Sequence, residues 1–260
     1  EIKHKDYNTV IAVPYDMPII GYKTKTPVTL RLWSARSKQR FDFHSFNEGI
    51  YDKAMADQTF AEAISKVLYP SDDHMPGKQL RLKQFYFLAS ATMQSMLKRH
   101  KQIFDDLHTL PDHVVIQINE THPALAIPEL MRILMDEEGF GWDEAYQIVK
   151  KMFHYTNHTI MTEAMECWDE NMFRFLLPRI YQIVCAFNEK YCNKIRAYYS
   201  HNEEKVRSMA IIGNNEIRMA NLCVAVCRRV NGVSNLHGDI LKEKIFNSSY
   251  RIFPQKYLAI

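Results

Sequence analysis

Several sequence features that mark particular protein classes are scarce or missing in this chain of 260 residues. It has only eight glycines, and neither the G-x-G-x-x-G nor the G-x-x-x-x-G-K-[ST] pattern occurs, so no nucleotide-binding loop is predicted. The five cysteines are odd in number and no two have C-x-x-C spacing, which disfavours a disulfide framework and a thiolate zinc site. No apolar run reaches about 18 residues and no basic run stands out. Neither a transmembrane helix nor a nucleic-acid partner is therefore expected.

The remaining composition is that of a globular protein. Hydrophobic residues make up 47% and aromatic residues 12% of the chain, and the formal net charge is only +3. This apolar content is enough for a packed core and argues against disorder. The first residues lack the pattern of a secretory signal peptide. We therefore expect a soluble protein of the cytoplasm, without a membrane partner.

A polar segment follows a β-branched run near the middle of the chain. The run at residues 114–118 is short and rich in Val and Ile, which is typical of a buried parallel strand. Residues 119–123 come next and include Glu120 and His122, and Pro128 then fits the first turn of a helix. In open α/β sheets, ligands bind beyond the carboxyl ends of the strands. This strand-loop-helix unit therefore predicts a binding loop.

The rest of the pattern predicts a helix-rich α/β unit without linkers or repeats. Strands are predicted at residues 9–13 and 28–33, and a turn-rich segment at 70–77. Helices are predicted at about 47–68, 80–104, 142–153, 178–199, 217–230 and 236–245. The helix at 178–199 is predicted to be the longest. A second polar segment, 155–159, is predicted to be strand or loop.

The two polar segments also carry a resemblance to a known family. The motifs are Asn119-Glu120-Thr121-His122-Pro123, within 117–130, and Tyr155-Thr156-Asn157-His158-Thr159, and three further stretches lie at 13–22, 29–35 and 68–84. Together they resemble the glycogen (α-glucan) phosphorylase family, in the same order and at similar spacing. The resemblance covers essentially the whole chain. Because the family's chains are several times longer, it implies a piece from the later part of their N-terminal half.

The resemblance implies a fold. The expected fold class is α/β, as a helix-rich partial N-terminal domain of a GT-B (glycosyltransferase-like) fold with a largely parallel sheet. Residues 1–260 would form a single α/β unit from the central and later part of that domain. The C-terminal domain, which carries pyridoxal phosphate in the family, would be absent.

The resemblance also implies an activity and its partners. The family uses inorganic phosphate to cleave terminal α-1,4-linked glucose from glycogen or maltodextrin, and releases glucose 1-phosphate. Pyridoxal phosphate serves the full-length enzyme, but no lysine here matches the one that attaches it, so no cofactor-binding residue is expected and the isolated chain should be inactive. The implied partners are the glucan, phosphate, the C-terminal domain of the same chain and a second copy, contacted partly through residues 47–69.

His158 is the catalytic residue that the resemblance implies. The matching histidine lies against the reacting glucosyl unit, where its side chain contacts the 6-hydroxyl and its backbone carbonyl faces the anomeric carbon. A fixed dipole of negative sign stabilises the positive charge that develops there. Without the resemblance, a histidine beside apolar residues is more simply a hydrogen-bonded core residue.

The implied substrate-binding residues are Asp72, Asp73, Glu120, His122, Thr159 and Val230. The two aspartates lie on the loop that gates the family's active site, where relatives often have asparagine. Their simpler interpretation is that of helix N-caps. Glu120 stands where relatives usually have aspartate, and His122 matches a residue that lines a pocket beside the anomeric position.

The match is weaker just before Val230. Val226, Arg228 and Arg229 stand where the family has small residues. If this segment is buried, these larger side chains must alter the local packing.

Two other functions are compatible with the residues. One is a non-catalytic glucan-binding module. The other is a metal-dependent hydrolase that uses His122, His154 and His158. Because these histidines lack the H-E-x-x-H pattern of a zinc helix, no metal site is expected.

Overall fold

The computed structural model describes Lys5 and residues 7–258. The chain divides into two compact units, Glu1–Ala91 and Thr92–Ile260, each with its own strands and buried residues. The single unit over residues 1–260 stays a prediction, and part of that range lies outside the described residues.

The first unit begins with an antiparallel hairpin. Strands β1 (Val10–Ile20) and β2 (Pro27–Ser37) pair along their whole length, which confirms and extends the two predicted strands. Asp16 and Arg31 are directly opposite in the register. The Arg31 guanidinium donates to both carboxylate oxygens of Asp16, at 2.7 and 2.6 Å. This bidentate contact lowers the pKa of Asp16 and pins the register of the hairpin.

Three helices follow the hairpin. They are α1 (Phe43–Asn47), α2 (Tyr51–Lys66) and α3 (Met75–Ile103), of which α3 begins in the first unit and ends in the second. The prediction placed the start of α3 near residue 80, which is wrong. The His74 ring accepts a hydrogen bond from the backbone N–H of Gly77 at 3.0 Å, and Pro76 has no N–H to satisfy in the first turn. The helix therefore starts inside the turn-rich segment.

The second unit holds the remaining helices and strands. The helices are α4 (Leu110–His113), α5 (Ala126–Arg132), α6 (Trp142–Met152), α7 (Glu170–Leu176), α8 (Pro178–Tyr198), α9 (Glu203–Met209), α10 (Met219–Val226), α11 (Asn235–Ile240) and α12 (Asn247–Ile252). The strands are β3 (Ile116–Asn119), β4 (Phe153–Thr156), β5 (Cys167–Asp169), β6 (Ile212–Gly213), β7 (Glu216–Arg218), β8 (Arg229–Asn231) and β9 (Tyr257–Leu258). At 29 residues, α3 is longer than α8 with 21, so the prediction that 178–199 is the longest helix is wrong.

A four-stranded parallel sheet organises the described part of the second unit. Its strand order is β3-β4-β8-β9, and every neighbouring pair is parallel. The predicted strand at 114–118 is shifted: β3 covers residues 116–119, only Ile118 of it is buried, and Val115 is exposed. Pro128 lies in the first turn of α5, as predicted. Strands β5, β7 and β6 form a separate antiparallel sheet. The helix-rich α/β class and a parallel sheet are thus confirmed.

The predicted helix at 217–230 is wrong at both ends. Residues Glu216–Arg218 form β7, the helix spans Met219–Val226, and Arg229–Asn231 form β8. The helix stops because Cys227 adopts an extended backbone, and the buried Val230 then enters the parallel sheet. Arg228 is exposed and Arg229 half-buried, so neither arginine has to be packed into the hydrophobic core.

The predicted helix at 236–245 is also divided. Helix α11 ends at Ile240, and one wider turn, Leu241–Ile245, follows it. Among the described residues, none of the helices combines the length and the apolar character that crossing a membrane requires.

Candidate functional site

The two polar loops leave the parallel sheet side by side. In the register of β3 and β4, Asn119 lies opposite Thr156, so both loops begin at the same edge. The backbone N–H of Glu120 donates to the carbonyl O of Thr156 at 2.9 Å, and that of Asn157 donates to the carbonyl O of Asn231 at 2.9 Å. The ends of β3, β4 and β8 are therefore held together by main-chain hydrogen bonds.

A chain of side-chain hydrogen bonds crosses the same strand ends. Gln117 Nε2 donates to Thr156 Oγ1 at 2.7 Å, and Thr156 Oγ1 donates to Asn231 Oδ1 at 3.2 Å. Asn231 Nδ2 in turn donates to the carbonyl O of Gly232 at 2.9 Å. Because each group has a partner, the strand ends are fixed before any ligand arrives.

Glu120 connects the first loop to the second. Its Oε2 accepts a hydrogen bond from the backbone N–H of His158 at 2.8 Å and another from Thr159 Oγ1 at 3.1 Å. Glu120 itself has a φ of 61°, a left-handed conformation that is costly for a residue with a side chain. One carboxylate oxygen thus holds the backbone N–H of His158 and the side-chain hydroxyl of Thr159, on either side of the His158 carbonyl.

The side chain of His158 is exposed and hydrogen-bonded through Nε2 to Asn119 Oδ1. Its exposure contradicts the alternative of a core histidine. Since an amide oxygen only accepts, Nε2 is the donor in this contact. The contact orients the ring, and Nδ1 is the ring nitrogen left to face a ligand hydroxyl.

His122 has an acidic partner that the sequence analysis did not place in the site. His122 Nδ1 lies 3.2 Å from Glu166 Oε2, although the residues are 44 positions apart. The Glu166 side chain is 11% exposed, and its Oε1 is a buried atom without a hydrogen-bond partner in the described part of the chain. In the sequence, the only indication that Glu166 belongs near these loops was its position a few residues after the 155–159 loop.

Two more buried polar atoms near these loops lack partners among the described residues. They are Asn157 Oδ1 and His237 Nε2. Burial lowers the pKa of His237, the charge of His158 lowers it further, and Glu120 opposes this. His237 is therefore close enough to both residues to sense them electrostatically. Buried groups left unsatisfied are costly, so each of these atoms calls for a polar partner that the described residues do not supply.

The charges of the two loops also act on one buried thiol. Burial and the neighbouring Cys227 raise the pKa of Cys223, and Glu166 and Glu120 raise it further. Both carboxylates therefore lie near the same part of α10.

Asp72 and Asp73 belong to the first unit and precede α3. Asp72 Oδ2 accepts from Arg81 Nη1 at 2.7 Å, and Asp73 Oδ2 accepts from Ser71 Oγ at 3.0 Å. The N-cap alternative is wrong for this pair, because the His74 ring takes the capping contact. Contact of the two aspartates with a sugar stays a prediction.

Val230 lies in the middle of the parallel sheet. It pairs with Tyr155 on one side and Tyr257 on the other, and none of its surface is exposed. Its contribution to a substrate site stays a prediction.

The three histidines of the metal alternative do not come together. His154 pairs with Arg229 at the start of β4, and its pKa is lowered by burial and then by Arg228 and Arg229. His122 and His158 follow the opposite ends of the strands. Within the described residues, no group of three or more His, Cys, Asp or Glu side chains could hold a metal ion. The geometry gives this alternative no support.

Comparisons with known proteins identify the family of this chain. The sequence profile of the family described as carbohydrate phosphorylase matches residues 1–260. The brain-form glycogen phosphorylases of Bos taurus and Homo sapiens are each 43% identical over 267 residues, covering 98% of this chain and 32% of the relative. The liver form of Ovis aries is 44% identical over 263 residues, covering 97% of this chain and 31% of the relative. The chain spans about a third of the length of these curated relatives, and it belongs to the carbohydrate phosphorylase family.

Proposed function

We propose that this chain forms one wall of the sugar cleft in an α-1,4-glucan phosphorylase. The reaction is phosphorolysis of the terminal glucose of glycogen or maltodextrin to glucose 1-phosphate. Family membership and the names of the relatives support the class of reaction. The observation that best supports this proposal is the hydrogen bond from the backbone N–H of His158 to the Glu120 carboxylate. We also propose a GT-B fold for the complete protein, with residues 1–260 as one unit of its N-terminal domain.

The proposed role of His158 is electrostatic stabilisation of the transition state. Cleavage of a glycosidic bond develops positive charge at the anomeric carbon, and a carbonyl oxygen held in place stabilises that charge without reorganisation. Glu120 fixes the N–H of His158 and the Thr159 hydroxyl that follows. The His158 carbonyl between them is therefore the fixed dipole, while Nδ1 of the ring accepts a sugar hydroxyl.

His122 and Glu166 form the second part of the proposed wall. Their contact at 3.2 Å orients the ring, and Glu166 Oε1 is left to accept a hydroxyl. Val230 and the pair Asp72 and Asp73 complete the proposed substrate-binding residues.

We propose that pyridoxal phosphate is not attached to a lysine of this chain, because none matches the lysine that attaches it in the family. Lys256 is a buried lysine beside a cavity, but its Nζ donates to the backbone carbonyls of Val224 and Ala225. These two contacts hold the Lys256 side chain against the end of α10. We therefore assign the cofactor to the part of the complete protein that this chain does not span, and we expect the isolated chain to be inactive and without cofactor.

The proposed partners follow from the surface of α2. Tyr51, Met55 and Phe60 on this helix are exposed apolar residues, which suits the proposed contact between two copies through residues 47–69. Other proposed partners are the glucan, phosphate and the C-terminal domain, and the proposed compartment is the cytoplasm.

The test uses the complete protein with maltoheptaose and inorganic phosphate, and measures glucose 1-phosphate. His158→Ala should lower kcat and kcat/KM together, by about 2–4 kcal/mol of transition-state stabilisation, with little change in melting temperature. His44→Ala, which removes an exposed histidine of α1, is the control and should retain activity.

The results separate the candidate functions. A destabilised but fully active His158→Ala variant would contradict the assignment of His158. Binding of maltoheptaose without any release of glucose 1-phosphate would support the non-catalytic glucan-binding module instead.

A further inference from the structure

A cationic cavity lies in the second unit, away from the polar loops. Its volume is about 170 Å³ and it is bounded by α6, α8 and the segments that precede β8 and β9. Its lining includes Lys150, Lys190, Lys194, Arg228, Arg229 and Lys256. No Asp or Glu side chain is among the lining residues. A cleft lined by charge of one sign attracts counter-ions, so we call this feature the cationic cavity.

The cavity is at the opposite edge of the parallel sheet from the proposed sugar site. Arg229 is the first residue of β8, and it pairs with His154 near the start of β4. The polar loops follow the other ends of the same strands, at Asn119 and Thr156. The cavity therefore shares no residue with the proposed sugar site.

Most of the positive charge in the cavity is not neutralised by the protein. Lys190 donates to Asp143 at 3.0 Å, and its Nζ lies 4.2 Å from the centre of the Tyr146 ring. In the described part of the chain, Lys150, Lys194, Arg228 and Arg229 have no ion pair with a carboxylate. Burial lowers the pKa of Lys194, and the charges of Lys150 and Lys190 lower it further. This mutual repulsion would be relieved by an anion.

Lys256 is a buried cation among the lining residues of the cavity. It is 7% exposed, and its Nζ donates to the carbonyl O of Val224 and, at 3.2 Å, to that of Ala225. An ammonium has three N–H donors, so these two contacts hold the group in place while a donor remains. Burial lowers the pKa of Lys256 to about 8, a cost that a bound anion would offset.

We propose that the cationic cavity binds a small phosphate-bearing anion, independently of the sugar site. Phosphoryl oxygens accept several charge-assisted hydrogen bonds at once, and guanidinium groups match their geometry. A single carboxylate would leave most of the six cations uncompensated. The cavity volume of about 170 Å³ is close to that of cavities that hold a benzene ring, about 150 Å³. Pyrophosphate is of this size, and the phosphoryl group of a simple ester also fits, with Tyr191 and Phe253 on the lining as an apolar wall for the ester group.

The test measures binding of pyrophosphate and of phenyl phosphate to the complete protein by calorimetry, at about 0.15 M salt. The Lys194→Gln/Arg229→Gln variant should bind either anion at this site about tenfold or more weakly, the scale of one lost charge-assisted contact. Lys151→Gln is the matched control, because Lys151 is the exposed neighbour of Lys150 outside the lining. Its affinity should stay that of the unmodified protein.

A second measurement locates the site and checks folding. Tungstate, a phosphate analogue with strong anomalous scattering, should give a peak in the cavity of crystals of the unmodified protein and none there in the double variant. The double variant should keep its melting temperature, since it loses repelling charges. Equal affinity of the double variant and the unmodified protein, or no binding of either anion, would overturn the proposal. Binding here in a protein without phosphorolysis would leave this proposal standing while the proposed function fails.

Discussion

The carboxylate of Glu120 accepts a hydrogen bond from the backbone N–H of His158 at 2.8 Å, although the residues are 38 positions apart. The contact joins the loops that follow two neighbouring parallel strands. It makes the position of one backbone carbonyl depend on a carboxylate of another loop.

Replacing Glu120 with Gln should separate the effect of the side chain's charge from the effect of its size. Glu120→Gln in the complete protein keeps the length of the side chain but replaces the charged acceptor with a weaker neutral one. We expect kcat/KM for phosphorolysis to fall by about tenfold to thirtyfold, equivalent to about 1.4–2 kcal/mol. Glu163→Gln is the control, since Glu163 is an exposed carboxylate in the short turn Thr162–Ala164. Equal kinetics for the two variants would remove the proposed role of Glu120.

Gly232 should be intolerant of a side chain. A Cβ at this position would lie 2.8 Å from His237 Cγ and 3.0 Å from the backbone N of Gly238. Gly232→Ala should therefore lower the free energy of unfolding by about 1–3 kcal/mol, measured by urea denaturation. Gly238→Ala offers a matched control in the adjacent helix, where the new Cβ would meet only Leu258 O at 3.7 Å. It should be neutral or stabilising, by up to about 1 kcal/mol.

His108 should make stability depend on pH. Its ring lies between Glu144 Oε1 and Asp106 Oδ1, at 2.6 Å from each, and these contacts raise the pKa of His108, with Glu144 the larger cause. Because folding raises the pKa of His108, its ion pairs stabilise the folded state fully below the unfolded pKa of about 6.5. This stabilisation is lost as pH rises through the pKa of the folded state. The melting temperature of His108→Gln should thus fall below that of the unmodified protein at pH 6, and the two should converge by pH 9. A difference that persists unchanged at pH 9 would exclude this ionic origin.

The position of the cofactor can be mapped chemically. Borohydride reduction of the complete protein should attach pyridoxal phosphate to a lysine outside residues 1–260, because no lysine in this range matches the one that attaches the cofactor in the family. Peptide mass mapping identifies the labelled lysine. A sample that was not reduced should lose the label on denaturation. Stoichiometric label on any lysine within residues 1–260 would contradict the assignment.

The sequence predicted the first polar loop well because several local signals agree there. The β-branched run, the polar residues after it and Pro128 in the following first turn all indicate a strand, a loop and a helix. The strand β8 was missed because its buried Val230 follows two arginines and a segment of helical period. Its pairing with β4 is a tertiary contact, which no local window contains.

In the candidate site too, sequence motifs indicated some of the residues, whereas other contacts depend on the tertiary structure. His158, Glu120 and Thr159 were identified from motifs, and the structure joins them through one carboxylate oxygen. The contact of His122 with Glu166 spans 44 positions, and the unpaired atoms of Asn157 and Glu166 depend on packing. Such properties follow from the folded surroundings of each atom rather than from residue type.

The order of strands in the parallel sheet has a consequence during translation. Thr156 and Asn231 contact each other across 75 positions, and a ribosome that adds roughly 5–20 residues per second needs roughly 4–15 s to synthesise that interval. Until then, the buried N–H of Asn157 lacks its carbonyl partner on Asn231, and the edge of β4 is open to pairing with other nascent chains. Synonymous codons that slow elongation between α8 and β8 should therefore increase the dependence of this protein on chaperones that shield unpaired strand edges.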